Sequence, residues 1–228
     1  MQILDGKKLS KKILENISEE IQGLKAMKKQ VPRLDVIIAG DDFGSMKYVQ
    51  MKERTAQEVG LEVKVHHFSS ETKTDEIVNL IDSLNKDTRV SGIMVQLPLP
   101  KNIDNNVVLE TISPEKDVDG LTAVNLGRLF QNSKFGIAPA TPLGIMKLLS
   151  EYNIDISGKR AVIIGTSNIV GIPLGAMFLN EHATVTLCNS KTKGLKEICK
   201  EADILVSATG IPLLIKGEYL KRAVWLSM

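Results

Sequence analysis

The sequence is short of several things, and each shortage excludes a class of protein. Among 228 residues there are only two cysteines, Cys188 and Cys199, far from any C-x-x-C spacing. They read as reduced thiols, which points to a cytoplasmic protein and not to a disulfide scaffold. The three histidines, His66, His67 and His182, form no ligand set. His66 and His67 are adjacent, so on a strand they point to opposite faces, and no metal site is expected. Aromatic residues make up 4% and the net charge is +2. With no basic stripe carrying interleaved aromatics, no nucleic-acid or polyanion partner is expected. No apolar run approaches the ~20 residues that span a bilayer. The opening Met1-Gln2-Ile3-Leu4-Asp5-Gly6 carries no signal-peptide core, so no membrane association is expected either. What remains, 43% apolar and 25% charged, is an ordinary globular composition, enough for one large domain or two small ones.

The most informative stretch is Arg160-Ala161-Val162-Ile163-Ile164-Gly165-Thr166-Ser167-Asn168-Ile169-Val170-Gly171-Ile172-Pro173. An apolar, partly β-branched run ends at a glycine. A second glycine opens a segment able to form a helix. This predicts a buried parallel strand, a tight turn and a helix N-terminus, an arrangement that lets a pyrophosphate approach backbone N–H groups. Ser167 holds the place of the middle glycine in G-x-G-x-x-G, so by itself the motif also fits an ordinary strand–turn–helix.

In chain order, Leu9, Ile13, Ile17, Ile21 and Leu24 predict an amphipathic first helix. A strand over 34–39, a helix capped by Ser45 and closed by Gly60, and a strand over 61–68 follow. A helix capped by Thr74 and a buried strand over 91–96, ended by Pro98 and Pro100, come next. Residues 104–111 read as a short helix and 113–120 as loop. Thr141-Pro142 reads as a cap and first-turn proline for a helix to about Tyr152. Beyond the glycine turn come a helix over 171–181, a strand over 183–187, a helix over 193–201 and a strand over 203–207. Strands alternating with helices imply parallel sheets, and the pattern occurs twice, over 34–95 and 161–207. Residues 113–145 between them are rich in Pro, Gly and Asp. The expected architecture is therefore α/β: two α/β domains, 1–140 and 141–228, with a cleft between them, the second a Rossmann-like domain with a parallel sheet.

Several side chains could carry chemistry. Tyr48 and Lys52 share one face of a helix. Gln96 sits where a strand leaves the sheet, and open α/β sheets bind ligands outside those ends. Asp117 and Asp119 flank Val118 before Gly120. Each has a plain alternative: Tyr48 as packing, Lys52 as a solvated charge, Gln96 as a strand terminator, Asp119 as a turn former. Their surroundings are more specific. Ser45-x-x-Tyr48-Val49-x-x-Lys52, Gln96-Leu97-Pro98-Leu99-Pro100, Ser113-Pro114-Glu115-Lys116-Asp117-Val118-Asp119-Gly120, Pro139-Ala140-Thr141-Pro142-x-Gly144 and Gly165-x-Ser167-x-x-Val170-Gly171-x-Pro173 occur in that order. In this the chain resembles the bifunctional methylenetetrahydrofolate dehydrogenase/methenyltetrahydrofolate cyclohydrolase family, from its N-terminus to about Lys221.

The resemblance implies oxidation of 5,10-methylenetetrahydrofolate by a nicotinamide cofactor, then hydrolysis of the methenyl product to 10-formyltetrahydrofolate. It implies Lys52 as the proton-moving group, Gln96 as its hydrogen-bond partner and Tyr48 as a stacking face. Asp119 would be the carboxylate acceptor for the donor edge of the pterin, with Leu97 and Pro98 as further substrate contacts. Thr141, Gly165, Thr166, Ser167, Ile169, Val170 and Ser190 would hold the cofactor. NAD-binding turns carry an acid ~20 residues past the first glycine. Residues 183–192 contain none, but do contain Asn189, Ser190 and Lys191, which favours NADP while leaving NAD possible. The chain departs from many relatives in Thr166, where they carry Arg, in Asn189, where they carry His, and in Ala140, where they carry Cys. The resemblance also implies a homodimer formed through the second domain.

The end of the chain departs from the pattern too. Arg222-Ala223-Val224-Trp225-Leu226-Ser227-Met228 stands where the family has a Val-Val-Ile-Asp-Val-like strand. This reads as a frameshift or truncation, with a missing strand and an open sheet edge expected. Three functions are thus in play: an active bifunctional enzyme, an inactive remnant that binds dinucleotide or folate without turnover, and a dehydrogenase acting on a hydroxy acid. Tyr48, Lys52, Gln96 and Asp119 argue against the last, since a carbonyl-reducing site has no use for a pterin-matching carboxylate.

Overall fold

The computed structural model describes residues 3–220 and the backbone of 224–227. The chain forms two compact units, Met1–Ala123 and Val124–Met228. In the first, α1 (Gly6–Ala26), β1 (Arg33–Ala39), α2 (Phe43–Val59), β2 (Glu62–Phe68), α3 (Thr74–Lys86), β3 (Gly92–Val95) and α4 (Asn105–Glu110) follow one another. Their strands make a parallel sheet in the order β2-β1-β3. The period of two along each strand divides the core. Ile37, Ala39, Ile93 and Val95 meet Ile77, Ile81 and Leu84 of α3 and Val108 of α4 on one face. Val36, Ile38 and Met94 meet Val49 of α2 on the other.

The helix caps differ from expectation by a residue or more. Asp42, not Ser45, caps α2, because its carboxylate reaches back to accept from Ser45 N at 2.8 Å. Lys73 begins α3, with its N–H donating to the Glu76 carboxylate at 3.0 Å. The Thr74 hydroxyl instead accepts from Asp104 N, also at 3.0 Å, and so joins α3 to the start of α4. Gly60 closes α2 as expected, at φ +90°. On α1 the apolar stripe is only partly used: Ile21 is buried against Gly60, while Ile13 is exposed.

The second unit holds most of α5 (Ala123–Phe130), then α6 (Ala140–Glu151), β4 (Arg160–Ile164), α7 (Gly171–Asn180), β5 (Thr184–Cys188), α8 (Leu195–Glu201), β6 (Ile204–Ser207) and β7 (Val224–Ser227). Its parallel sheet runs β5-β4-β6-β7. The stretch 113–145 contains α5, a helix that the sequence does not announce because its eight residues and internal Gly127 hide the helical period. One expectation is corrected here: the strand expected to be missing is present. β7 pairs in parallel with β6, Ile204 against Val224 through Ser207 against Ser227. Cys188 and Cys199 are free and buried together in the β4–β6 core. Burial pushes the Cys199 thiol up to about 11, so it is not a nucleophile at neutral pH.

Candidate functional site

Four expected residues collect at the carboxyl end of the first sheet. β1 hands the chain to α2 through Gly40, and α2 carries Tyr48 and Lys52 one turn apart. Tyr48 is 59% exposed, leaving its ring open for stacking. Lys52 is half-buried, and its Nζ donates to Gln96 Oε1 at 3.3 Å and to Met94 Sδ at 3.2 Å. The Gln96 amide is oriented by its other end, since Nε2 donates to Leu97 O at 2.7 Å. Its oxygen is thereby aimed at the lysine. The Leu97–Pro98 peptide is cis; Leu97 is half-buried and Pro98 exposed.

The loop that carries Asp119 is pinned to the same strand. Ile93 N donates to Lys116 O at 2.7 Å, and Ile93 and Asp117 form a parallel bridge. The loop lies so close to the strand that a Cβ on Gly92 would collide with Val118. Lys116 Nζ donates to Leu84 O, Asn85 O and Asp87 O, each at 2.8 Å, and ties the loop to the end of α3. Asp117 is buried and accepts from Leu121 N at 3.2 Å and Thr122 N at 2.9 Å. Two adjacent members of one motif, Lys116 and Asp117, are thus consumed in holding the backbone.

Asp119 is left over. Among the described residues its carboxylate has no hydrogen-bond partner, although it is half-buried. Burial pushes it above the ordinary carboxylate range, the Lys52 ammonium pulls it back, and Asp117 adds a smaller upward push. A carboxylate in this condition gains most from a ligand that brings N–H donors. The two aspartates look equivalent in sequence; only the contacts of Asp117 separate them.

The second unit presents the glycine turn. Gly165, at φ +115°, approaches Ala208 O so closely that any side chain would clash, and a Cβ on Gly171 would strike Gly165 O. Ser167 holds the turn: its hydroxyl accepts from Val170 N at 3.2 Å and its carbonyl from Ile172 N at 3.1 Å. No side chain caps the N-terminus of α7. Thr166, Ser167 and Ile169 are exposed and Val170 is half-buried. A tight, uncapped turn at a helix start fits a dinucleotide pyrophosphate. After β5, Asn189 N donates to Thr192 Oγ1 and Lys191 N to Asn189 Oδ1, both at 2.9 Å. That self-closed turn leaves Ser190 and Lys191 exposed. Thr141 does not cap α6. Leu143 N bonds Pro139 O at 3.0 Å, which makes Pro139 the cap and puts Thr141, exposed, in the first turn.

Comparison with known proteins adds to this geometry. Residues 4–119 match the family model described as tetrahydrofolate dehydrogenase/cyclohydrolase, catalytic domain, and residues 139–226 match the NAD(P)-binding domain of the same family. The chain is 48% identical over 221 residues to the bifunctional protein FolD of Campylobacter concisus, covering 97% of this chain and 77% of that protein. It is similar to the solved bifunctional FolD dehydrogenase/cyclohydrolase of Campylobacter jejuni, with TM-score 0.96, 44% identity and coverage of 98% and 79%. It is also similar to the Trypanosoma brucei dehydrogenase-cyclohydrolase complexed with NADP and an inhibitor, with TM-score 0.94, 34% identity and coverage of 98% and 77%.

Proposed function

The chain belongs to the tetrahydrofolate dehydrogenase/cyclohydrolase family, and from that premise we propose that one folate site, built on Tyr48, Lys52, Gln96 and Asp119, serves both of its reactions. The protein oxidises 5,10-methylenetetrahydrofolate to the 5,10-methenyl cation and hydrolyses that cation to 10-formyltetrahydrofolate. The observation that carries the site reading is the unpartnered, half-buried Asp119 carboxylate beside a lysine held by Gln96. Asp119 accepts from the ring N–H and exocyclic amine of the pterin, and Tyr48 stacks on the folate's aromatic parts. Leu97 and Pro98 add apolar contacts to the substrate. In the hydrolytic step Lys52 moves the proton of the water that adds to the methenyl carbon. Gln96 keeps the amine in place for that transfer. Nothing favours the inactive-remnant reading, and the relatives are named bifunctional.

The nicotinamide cofactor, when bound, supplies the hydride acceptor. Gly165, Thr166, Ser167, Ile169 and Val170 hold its pyrophosphate, Thr141 contributes from the first turn of α6, and Ser190 with Lys191 receives the ribose 2′-phosphate. The exposed, acid-free turn after β5 supports NADP over NAD. One assay tests activity and cofactor together. With methylenetetrahydrofolate and NADP, methenyl absorbance should rise and then decay. NAD should need a concentration higher by roughly tenfold or more, the size of one or two charge-assisted hydrogen bonds. Equal response to the two cofactors would remove the role given to Ser190 and Lys191; no methenyl signal with either would remove the function.

Two copies associate through the second unit. β5 lies at the sheet edge with one neighbour, and Thr184, Thr186 and Leu187 are exposed along it. Such an edge is a template for a second copy of the same strand. Sedimentation equilibrium should return twice the chain mass; a monomer at micromolar concentration would contradict the assignment. The free buried thiols support a cytoplasmic location. Among the described residues no helix is long and apolar enough to cross a membrane.

A further inference from the structure

Lys52 has a second partner that the folate chemistry does not require. Met94 lies on β3 two residues before Gln96, so both side chains face α2. Met94 is 4% exposed and packs with Val36, Ile38 and Val49. For that purpose any aliphatic residue of similar size would serve. Methionine differs from leucine in carrying a sulfur acceptor, and this sulfur lies 3.2 Å from Lys52 Nζ, as near as the Gln96 oxygen at 3.3 Å.

We propose that Met94 is a positioning residue for Lys52, its thioether forming with Gln96 Oε1 a two-point clamp that holds the amine for proton transfer in the hydrolytic step. The inference rests on the role given to Lys52 above. A lysine side chain turns about several bonds, and one hydrogen bond leaves the nitrogen free to swing around it. Two acceptors, Met94 on β3 and Gln96 just beyond its end, fix it. The amine that takes the water's proton is the neutral form, with two N–H donors and one lone pair. With the two donors directed at Met94 and Gln96, the lone pair is left for the proton of the water that adds to the substrate, and the resulting ammonium keeps both contacts. A thioether is a weak acceptor, so it directs the amine without holding the proton strongly. The sequence conceals this contact, because residues 52 and 94 meet only through the packing of α2 on β3.

The test is Met94→Leu, nearly volume-conserving and therefore compatible with the core, with Met94→Ile as a second variant lacking the acceptor. Both should lower kcat for methenyltetrahydrofolate hydrolysis by about threefold to tenfold, the effect of losing one net hydrogen bond. KM should hold nearly constant, and hydride transfer should fall far less. The decisive measurement is the double variant. If Met94 acts through Lys52, then adding Met94→Leu to Lys52→Met should cause no further loss of hydrolysis. Wild-type hydrolysis in both Met94 variants, alongside a crippled Lys52→Met, would overturn the clamp alone. A full additional loss in the Lys52→Met background would also overturn it, because Met94 would then act by packing. Intact hydrolysis in Lys52→Met would overturn the assignment of Lys52, and the clamp with it.

Discussion

Lys52→Met lowers methenyltetrahydrofolate hydrolysis by roughly 10²-fold or more, the usual contribution of a positioned general acid–base group, while hydride transfer survives in part. The two reactions ask different things of one site. Hydride transfer needs the bridge carbon held against its acceptor, and the folate nitrogens expel the hydride with their own lone pairs, so positioning carries that step. Hydrolysis needs protons moved near a cation. Methionine keeps the length of the lysine side chain and removes its basicity. Methenyltetrahydrofolate should therefore accumulate in the coupled assay. Asp119→Ala should instead weaken binding of both substrates and depress both rates, since both carry the same pterin. Because burial raises the Asp119 carboxyl, the wild-type site should lose folate affinity on acidification at a pH above the ordinary carboxylate range, as the acceptor becomes protonated. Unchanged hydrolysis in Lys52→Met would demote the lysine to a surface contact.

Arg33→Met should cost the first unit about 3 kcal/mol, the lower end for breaking a buried ion pair from one side. Asp35 is fully buried in the middle of the sheet. Arg33 Nε donates to it at 2.7 Å and His66 Nε2 lies 2.7 Å from its other oxygen. Arg33 also reaches Asp87, at the end of α3, at 3.2 Å. Removing the guanidinium leaves a buried carboxylate with the imidazole as its remaining side-chain partner, which is why the lower end applies. Urea unfolding should show a reduced midpoint with an unchanged slope. Arg33→Met combined with Asp35→Leu should recover part of the loss, because the stranded charge is then gone. A loss below about 1 kcal/mol, the scale of a surface pair, would show that water reaches this cluster.

The site is only partly visible in the order of residues. Short-range geometry follows from the chain itself: a helix brings residues four apart to one face, so Tyr48 and Lys52 had to be neighbours. A strand alternates, so adjacent residues of β1 and β3 had to fall on opposite faces of the sheet. The glycines at 165 and 171 announced a turn that side chains would block. Hydrogen-bond competition at helix starts was harder, since Asp42 and Ser45 are both good caps. The choice depended on which backbone N–H each side chain could reach; Thr141 lost its expected place because α6 starts ahead of it, at Pro139, with no side-chain cap.

The sequence by itself determined the α/β alternation, the two parallel sheets, the glycine turn and the helix face that carries the lysine, because all of these repeat with the period of a helix or a strand. Only the tertiary structure decided which side chains meet across elements. It put Met94 beside Lys52, spent Lys116 and Asp117 on the loop and left Asp119 without a partner. It gathered Arg33, His66 and Asp87 around the buried Asp35, and paired β7 with β6 where the sequence pattern reads as broken. Each of these depends on strand register and helix packing between residues far apart in the chain. No local period encodes such contacts; the burial of both sheet faces and the pairing of buried polar groups select them.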